Sequence, residues 1–170
     1  MNPFSQILNF AVYIATQVLL VRNLVLFDRG FCFIYIGFLL LIPFEISTTV
    51  LMLIGFGTGL IVDIFYDTLG MHTAACVLLM FLRQSWINLL TPRGGYENVY
   101  YPSLKMMGVE WFATYALPLI FVHHLLLFYL EAAGFEFFFF TLTKVLASVA
   151  FTFLTILIVQ FLFYPAPKKP

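Results

Sequence analysis

The sequence predicts an all-α integral membrane protein: a six-helix transmembrane bundle that forms a single domain over residues 1–170. Three observations predict it. Hydrophobic residues make up 63% of the chain and charged residues 9%, with a mean hydropathy of +1.03; a soluble domain has about 45–50% and about 25%. Apolar runs recur along the chain, and at about 20 residues per crossing they leave room for about five or six helices and no separate soluble domain. Between the runs, Pro, Gly and charged residues collect in short connections. The formal net charge is zero and no basic patch or Arg-rich arm occurs, so the attraction that drives nucleic-acid binding is missing and that partner class is excluded.

The first segment covers residues 4–21, interrupted mildly by Gln6, Asn9, Thr16 and Gln17 and ended by Arg22 and Asn23. No Lys or Arg precedes it and no small-residue cleavage site follows, so it reads as a membrane helix rather than a removable signal peptide. After Asp28, Arg29 and Gly30, a second segment covers residues 31–42 and stops at Pro43. As a helix it reaches only about 18 Å against a hydrocarbon core of about 30 Å. It is therefore short, re-entrant, or begins earlier. Glu45, Ser47 and Thr48 precede the third segment, 49–66. The turn Asp67, Thr68, Leu69, Gly70 leads to the fourth, 71–90.

The one long connection, PRGGYENVYYPSLK, is rich in Gly, Pro and Tyr. Tyr96, Tyr100, Tyr101 and Trp111 are amphipathic rings suited to headgroup level, so this loop is expected along the membrane surface. The fifth segment, 107–130, carries Pro118, which a membrane helix tolerates as a kink. Beyond Glu131, Gly134 and Glu136, the sixth covers 137–163, and YPAPKKP closes the chain. With six crossings, Arg93, Lys105, Lys168 and Lys169 share one side and Arg22 and Arg29 the other. That bias favours both termini in the cytoplasm.

The stretch GFGTGLIVDIFYDTLGMHTAACVLLMFLR is the most informative. Gly55, Gly59, Asp63 and Asp67 fall at successive i, i+4 steps and so share one helical stripe. A Gly-x-x-x-Gly pair permits close approach of another helix, within the chain or on a partner. Asp63, an ionisable group in a membrane segment, is expected to face protein or water. Arg83 is a poor partner for it, lying about 14 Å deeper along the antiparallel neighbour; His72, Arg22 and Arg29 are better placed. Arg83 is then expected to snorkel inward or to meet a partner chain or lipid phosphate. Glu110 reads as a helix-start carboxylate.

No cofactor or metal site is expected. Cys32 and Cys76 lie in apolar runs, and His123 and His124 point about 100° apart on one helix without a ligand at i+4 spacing. No nucleophile, base and oxyanion set assembles, so an enzyme is not expected.

The stretch quoted above, a glycine-rich helix ending in aspartate, a short glycine turn and a small-residue helix, resembles the core signature of the MreD family of bacterial rod shape-determining membrane proteins. Pro43 in its short apolar segment fits the same pattern. The resemblance implies a non-catalytic scaffold of the cell-elongation machinery in the bacterial cytoplasmic membrane. Its implied partners are MreC directly, and MreB, RodA and a penicillin-binding transpeptidase indirectly, amid membrane lipids. The family's fold is similar to that of the substrate-binding subunits of energy-coupling-factor vitamin transporters, which implies an alternative. Those subunits meet their transporter through an Ala-x-x-x-Ala pair, and Ala11 and Ala15 have that spacing.

Overall fold

The computed structural model describes residues 3–96, 99–134 and 137–163. Glu136, Lys168 and Lys169 of the sequence reading lie outside the described residues. Helix α1 (Pro3–Thr16) continues into a π-helical turn at Gln17–Val21, followed by a hairpin of β1 (Val25–Leu26) and β2 (Gly30–Phe31). Then come α2 (Tyr35–Leu40), α3 (Thr48–Tyr66), α4 (Met71–Leu90), α5 (Leu104–Met107), α6 (Val109–Glu131) and α7 (Phe138–Phe163). Among the described residues, five helical stretches are long and apolar enough to cross a membrane: Phe4–Val21, α3, α4, α6 and α7. Their outward faces are apolar, with Leu19, Leu53, Ile64, Phe139, Leu154 and Phe161 all exposed, as a lipid environment requires.

The second expected segment is not a sixth helix of that kind. Only six of its residues are helical, and residues 32–37 and 39–42 are all buried. Its course follows from its neighbours. Tyr13 packs on Gly37 and the Gln17 amide reaches the Cys32 carbonyl, so the segment runs antiparallel to α1. The Phe31 and Phe33 amides meet Ser148 and Thr152, while Gly37 meets Ile156, so it runs parallel to α7. Both α1 and α3 finish beside Tyr66, whose hydroxyl accepts from Gln17 Nε2 at 2.6 Å. Two successive long helices thus run the same way, and the chain returns between them through residues 30–42. As a result α1 begins and α7 finishes at the same end of the bundle, called here the Phe44 end. The opposite one is the Tyr66 end.

A partly extended segment inside a membrane protein leaves backbone groups that no helix satisfies, and hydrocarbon offers none in exchange. The surrounding helices supply the missing partners from side chains. Ser148 Oγ accepts from Phe31 N–H at 2.9 Å and Thr152 Oγ1 from Phe33 N–H at 3.1 Å. Gln17 Nε2 donates to the Cys32 carbonyl at 3.1 Å. At the far end of α2, Tyr115 donates to the Leu40 carbonyl at 2.8 Å, and Arg83 donates to the carbonyls of Leu40 and Ile42. This accounts for polar residues dispersed among otherwise apolar helices. The π-helical turn in α1 belongs to the same device, because within it Gln17 and Val21 are buried.

The other locking unit is the α3–α4 hairpin. Gly55 and Gly59 let the two backbones touch: a Cβ on Gly59 would lie 2.7 Å from Thr73 N and 2.8 Å from His72 O, and one on Gly55 2.9 Å from Cys76 O. The turn between them uses left-handed backbone at Asp67, Leu69 and Gly70. The fifth segment begins two residues later than expected, because Gly108, at φ +84°, separates the short α5 from α6. At the Phe44 end, Tyr96 stacks on Phe44 at 4.4 Å with Trp111 edge-on to both, so the long loop folds onto the bundle. The count of cations also changes. Lys144, inside α7, pairs with Glu131 at the Tyr66 end, which with Arg22 and Arg29 outnumbers Arg93 and Lys105 at the Phe44 end among the described residues.

Candidate functional site

The polar residues singled out in the sequence separate into different places. Asp63 is buried and fully engaged. Its Oδ1 accepts from Thr68 Oγ1 at 2.6 Å and His72 N–H at 3.0 Å; its Oδ2 accepts from Thr73 N–H at 2.9 Å and Thr73 Oγ1 at 2.6 Å. The carboxylate thus closes the N-terminus of α4, where unpaired amides and the helix dipole favour an anion. The stripe ends there. Asp67 has left the helix, sits at φ +58° as the cap of α3, and is exposed. Gly55 and Gly59 face α4 of the same chain, so that surface is occupied. Ala11 and Ala15 lie on the exposed outer face of α1.

Of the alternatives open to Arg83 in the sequence, the structure shows the inward one. It is fully buried rather than reaching a lipid phosphate or a partner. Its Nε donates to Tyr115 Oη at 2.8 Å and its Nη2 to the carbonyls ending α2, while Nη1 has no partner. The cation faces the carbonyl end of a short helix, where dipole and lone pairs both favour positive charge. Sequence spacing correctly separates it from Asp63. The carbonyls were invisible because they belong to a segment whose non-helical ending no residue pattern announces.

A second polar group fills the interior nearer the Tyr66 end. The Tyr35 hydroxyl lies 2.8 Å from His72 Nδ1 and 2.8 Å from His123 Nε2, with Cys76 Sγ at 3.8 Å from the latter. His124 points elsewhere: Nδ1–H donates to the Ile120 carbonyl at 2.8 Å, leaving Nε2 to accept from Thr152 Oγ1 at 3.1 Å. Phe33 packs among all three imidazoles, 5.2, 6.2 and 5.3 Å from His72, His123 and His124. The sequence places the two adjacent histidines on diverging faces; they take different hydrogen-bond partners, although their rings meet edge-on at 5.4 Å. It gives no signal for Tyr35, whose role depends on where the buried segment runs. Among the described residues, no group of three His, Cys, Asp or Glu side chains stands close enough to hold a metal ion.

Tyr35 has one proton for two imidazole nitrogens, so one histidine donates to it. His123 Nδ1 has no partner in either arrangement. A buried unpaired N–H is less tolerable than an unpaired lone pair, so His123 Nε2–H donates to Tyr35 and Tyr35 donates to His72 Nδ1. His72 then carries its own proton on Nε2.

His72 lines a cleft at the Tyr66 end with a volume of about 200 Å³. Its polar wall includes Arg22, Asn23, Thr68, Glu131 and Lys144, and its apolar wall Phe31, Phe33, Met71 and Phe128. Arg22 Cζ lies 5.4 Å above the Tyr66 ring, and the His72 ring packs at 5.2 Å from the same ring. Lys144 Nζ pairs with Glu131 at 2.6 Å and rests on Phe31 and Phe128. Lys144 gives no signal in the sequence because it stands within an apolar run. Compared with family models, with curated proteins and with solved structures, the chain matches none of them.

Proposed function

We propose that this chain is a non-catalytic membrane scaffold of the bacterial cell-elongation complex, binding MreC and, through it, helping MreB, RodA and a penicillin-binding transpeptidase organise peptidoglycan synthesis. The observation that carries this reading is the stretch from Gly55 to Arg83, which resembles the MreD signature. Each of its distinctive residues except Asp67 has a fixed role in the bundle: close contact at Gly55 and Gly59, a helix cap at Asp63, support of α2 at Arg83. The fold on this reading is a six-segment bundle similar to the energy-coupling-factor substrate-binding subunits, residues 30–42 being the sixth segment. The membrane is the bacterial cytoplasmic one, with both termini on its cytoplasmic side, a reading supported when Lys168 and Lys169 of the sequence are counted with Arg93 and Lys105 against Arg22, Arg29 and Lys144.

With the glycine stripe occupied internally, exposed helix faces remain for partners. The outer face of α1 carries small residues at Ala11 and Ala15 beside exposed Leu8 and Val12, which permits close helix approach. The test is retention of MreC by the tagged protein in mild detergent, together with depletion in a rod-shaped bacterium. Retention and conversion of rods to spheres are expected, and an Ala11→Leu, Ala15→Leu variant should lose MreC while remaining folded. Normal rods after clean depletion would sink the reading. One observation favours the alternative, a vitamin-binding transporter subunit: the cleft at the Tyr66 end is built by a loop and helix ends, as a small-molecule site would be.

A further inference from the structure

The cleft has a chemical bias. Arg22 has no acidic partner among the described residues; its guanidinium rests on the Tyr66 ring. His72 packs on the same ring and is held by Tyr35 so that its remaining nitrogen, Nε2, is a donor. Glu131 is the carboxylate in the lining, and Lys144 neutralises it. Asp63, the nearest buried anion, is turned away and saturated by four donors. The polar side of the cleft therefore offers N–H donors and one unbalanced positive charge, and the opposite side is aromatic and aliphatic. Its volume of about 200 Å³ leaves room for a headgroup or a short acid.

We propose that this cleft binds a small anionic group, a phosphate or carboxylate carried on an apolar body, with Arg22 and His72 Nε2–H as the recognising pair. Phe31, Phe33, Met71 and Phe128 receive the apolar part. His72 is buried, which strengthens the hydrogen bond its Nε2–H makes relative to the same bond in water, and the exposed Arg22 supplies the charge. The source is either a free amphipathic acid or an anionic lipid whose headgroup enters from the bilayer edge. The inference requires neither functional reading above. A scaffold could hold a lipid there, and a transporter subunit its substrate.

The experiment uses the full chain in phosphatidylcholine nanodiscs, followed by thermal unfolding, with octyl phosphate, octanoate, inorganic phosphate and neutral octanol as probes. A ligand that binds the folded state raises the midpoint in step with its concentration relative to its dissociation constant. Octyl phosphate or octanoate should raise it saturably and octanol should not. Response to inorganic phosphate as well would place most of the recognition on the anionic group. Arg22→Gln should weaken the apparent affinity about ten- to hundredfold, the effect of losing one charge-assisted hydrogen bond. Arg29→Gln, which removes a cation at the same end but outside the cleft, should leave it as in the wild type.

A second preparation with phosphatidylglycerol distinguishes the sources. A higher midpoint there, with loss of the octyl phosphate response, identifies the lipid headgroup; an undiminished response identifies the free acid. The proposal is overturned if no anion acts in either membrane, if octanol acts equally, or if Arg22→Gln and Arg29→Gln weaken binding alike. Failure to retain MreC would leave these titrations untouched, so the two ideas fail separately.

Discussion

Two glycines on α3, two residues apart, should respond oppositely to the same added methyl group. Gly57 has nothing within 4 Å of the place a Cβ would occupy, whereas at Gly59 that Cβ would lie 2.7 Å from Thr73 N and 2.8 Å from His72 O. These are backbone atoms of the first turn of α4 and cannot rotate away. Thr73 Cα stands closer still, so restoring an ordinary contact requires α4 to withdraw by more than about 0.7 Å. The same turn holds the Asp63 bonds to His72 N–H at 3.0 Å and Thr73 N–H at 2.9 Å, and that withdrawal would carry them beyond about 3.2 Å, where such bonds weaken. Losing one or two charge-assisted bonds costs about 1.5–3 kcal/mol each, and the better helix propensity of alanine returns up to about 1 kcal/mol. Gly59→Ala should therefore lose about 2–4 kcal/mol, which at about 2–4 °C per kcal/mol is a fall of about 5–15 °C. Gly57→Ala should hold or gain up to about 1 kcal/mol. Thermal unfolding in mild detergent, followed by a thiol-reactive dye on the buried Cys32 and Cys76, reads both. Equal midpoints for Gly59→Ala and the wild type would refute the close-contact argument.

Other perturbations test the remaining supports by the same assay. Asp63→Ala orphans two backbone amides and two hydroxyls and should cost about 2–4 kcal/mol, while Asp67→Asn, at an exposed left-handed position that asparagine tolerates, should be near neutral; similar losses for both would contradict the separation of the stripe. Arg83→Met removes the donors to Ile42 and Tyr115 but also relieves the cost of a buried cation, so a net loss of about 1–3 kcal/mol is expected, and a gain would show that the cation costs more than the carbonyls return. Cysteines placed at Phe27 and Leu69, 88% and 95% exposed, should be labelled from one side of sealed vesicles and a cysteine at Gly94 from the other. Labelling of the Phe27 and Leu69 cysteines from opposite sides would break the path drawn for residues 30–42.

Hydropathy alone determined the membrane class and the five long helical stretches to within about two residues, because in lipid every apolar run of sufficient length must close its own hydrogen bonds as a helix. It also located the α3–α4 turn, since Asp67 to Gly70 is a local signal. Residue type and spacing placed Gly55 and Gly59 on one stripe, but could not say whether the stripe meets a partner or the next helix of the same chain. That depends on which face α4 covers. The short second segment marks the limit most clearly. Its length ruled out an ordinary crossing, yet only the tertiary structure shows it buried, half extended, and supported by Gln17, Arg83, Tyr115, Ser148 and Thr152 from four other helices. Those five polar residues look unrelated in the sequence because each is fixed by a backbone group far away in the chain. The bilayer dictates where helices form from local composition. Where a helix is missing, the satisfaction of its backbone is a long-range matter that packing decides.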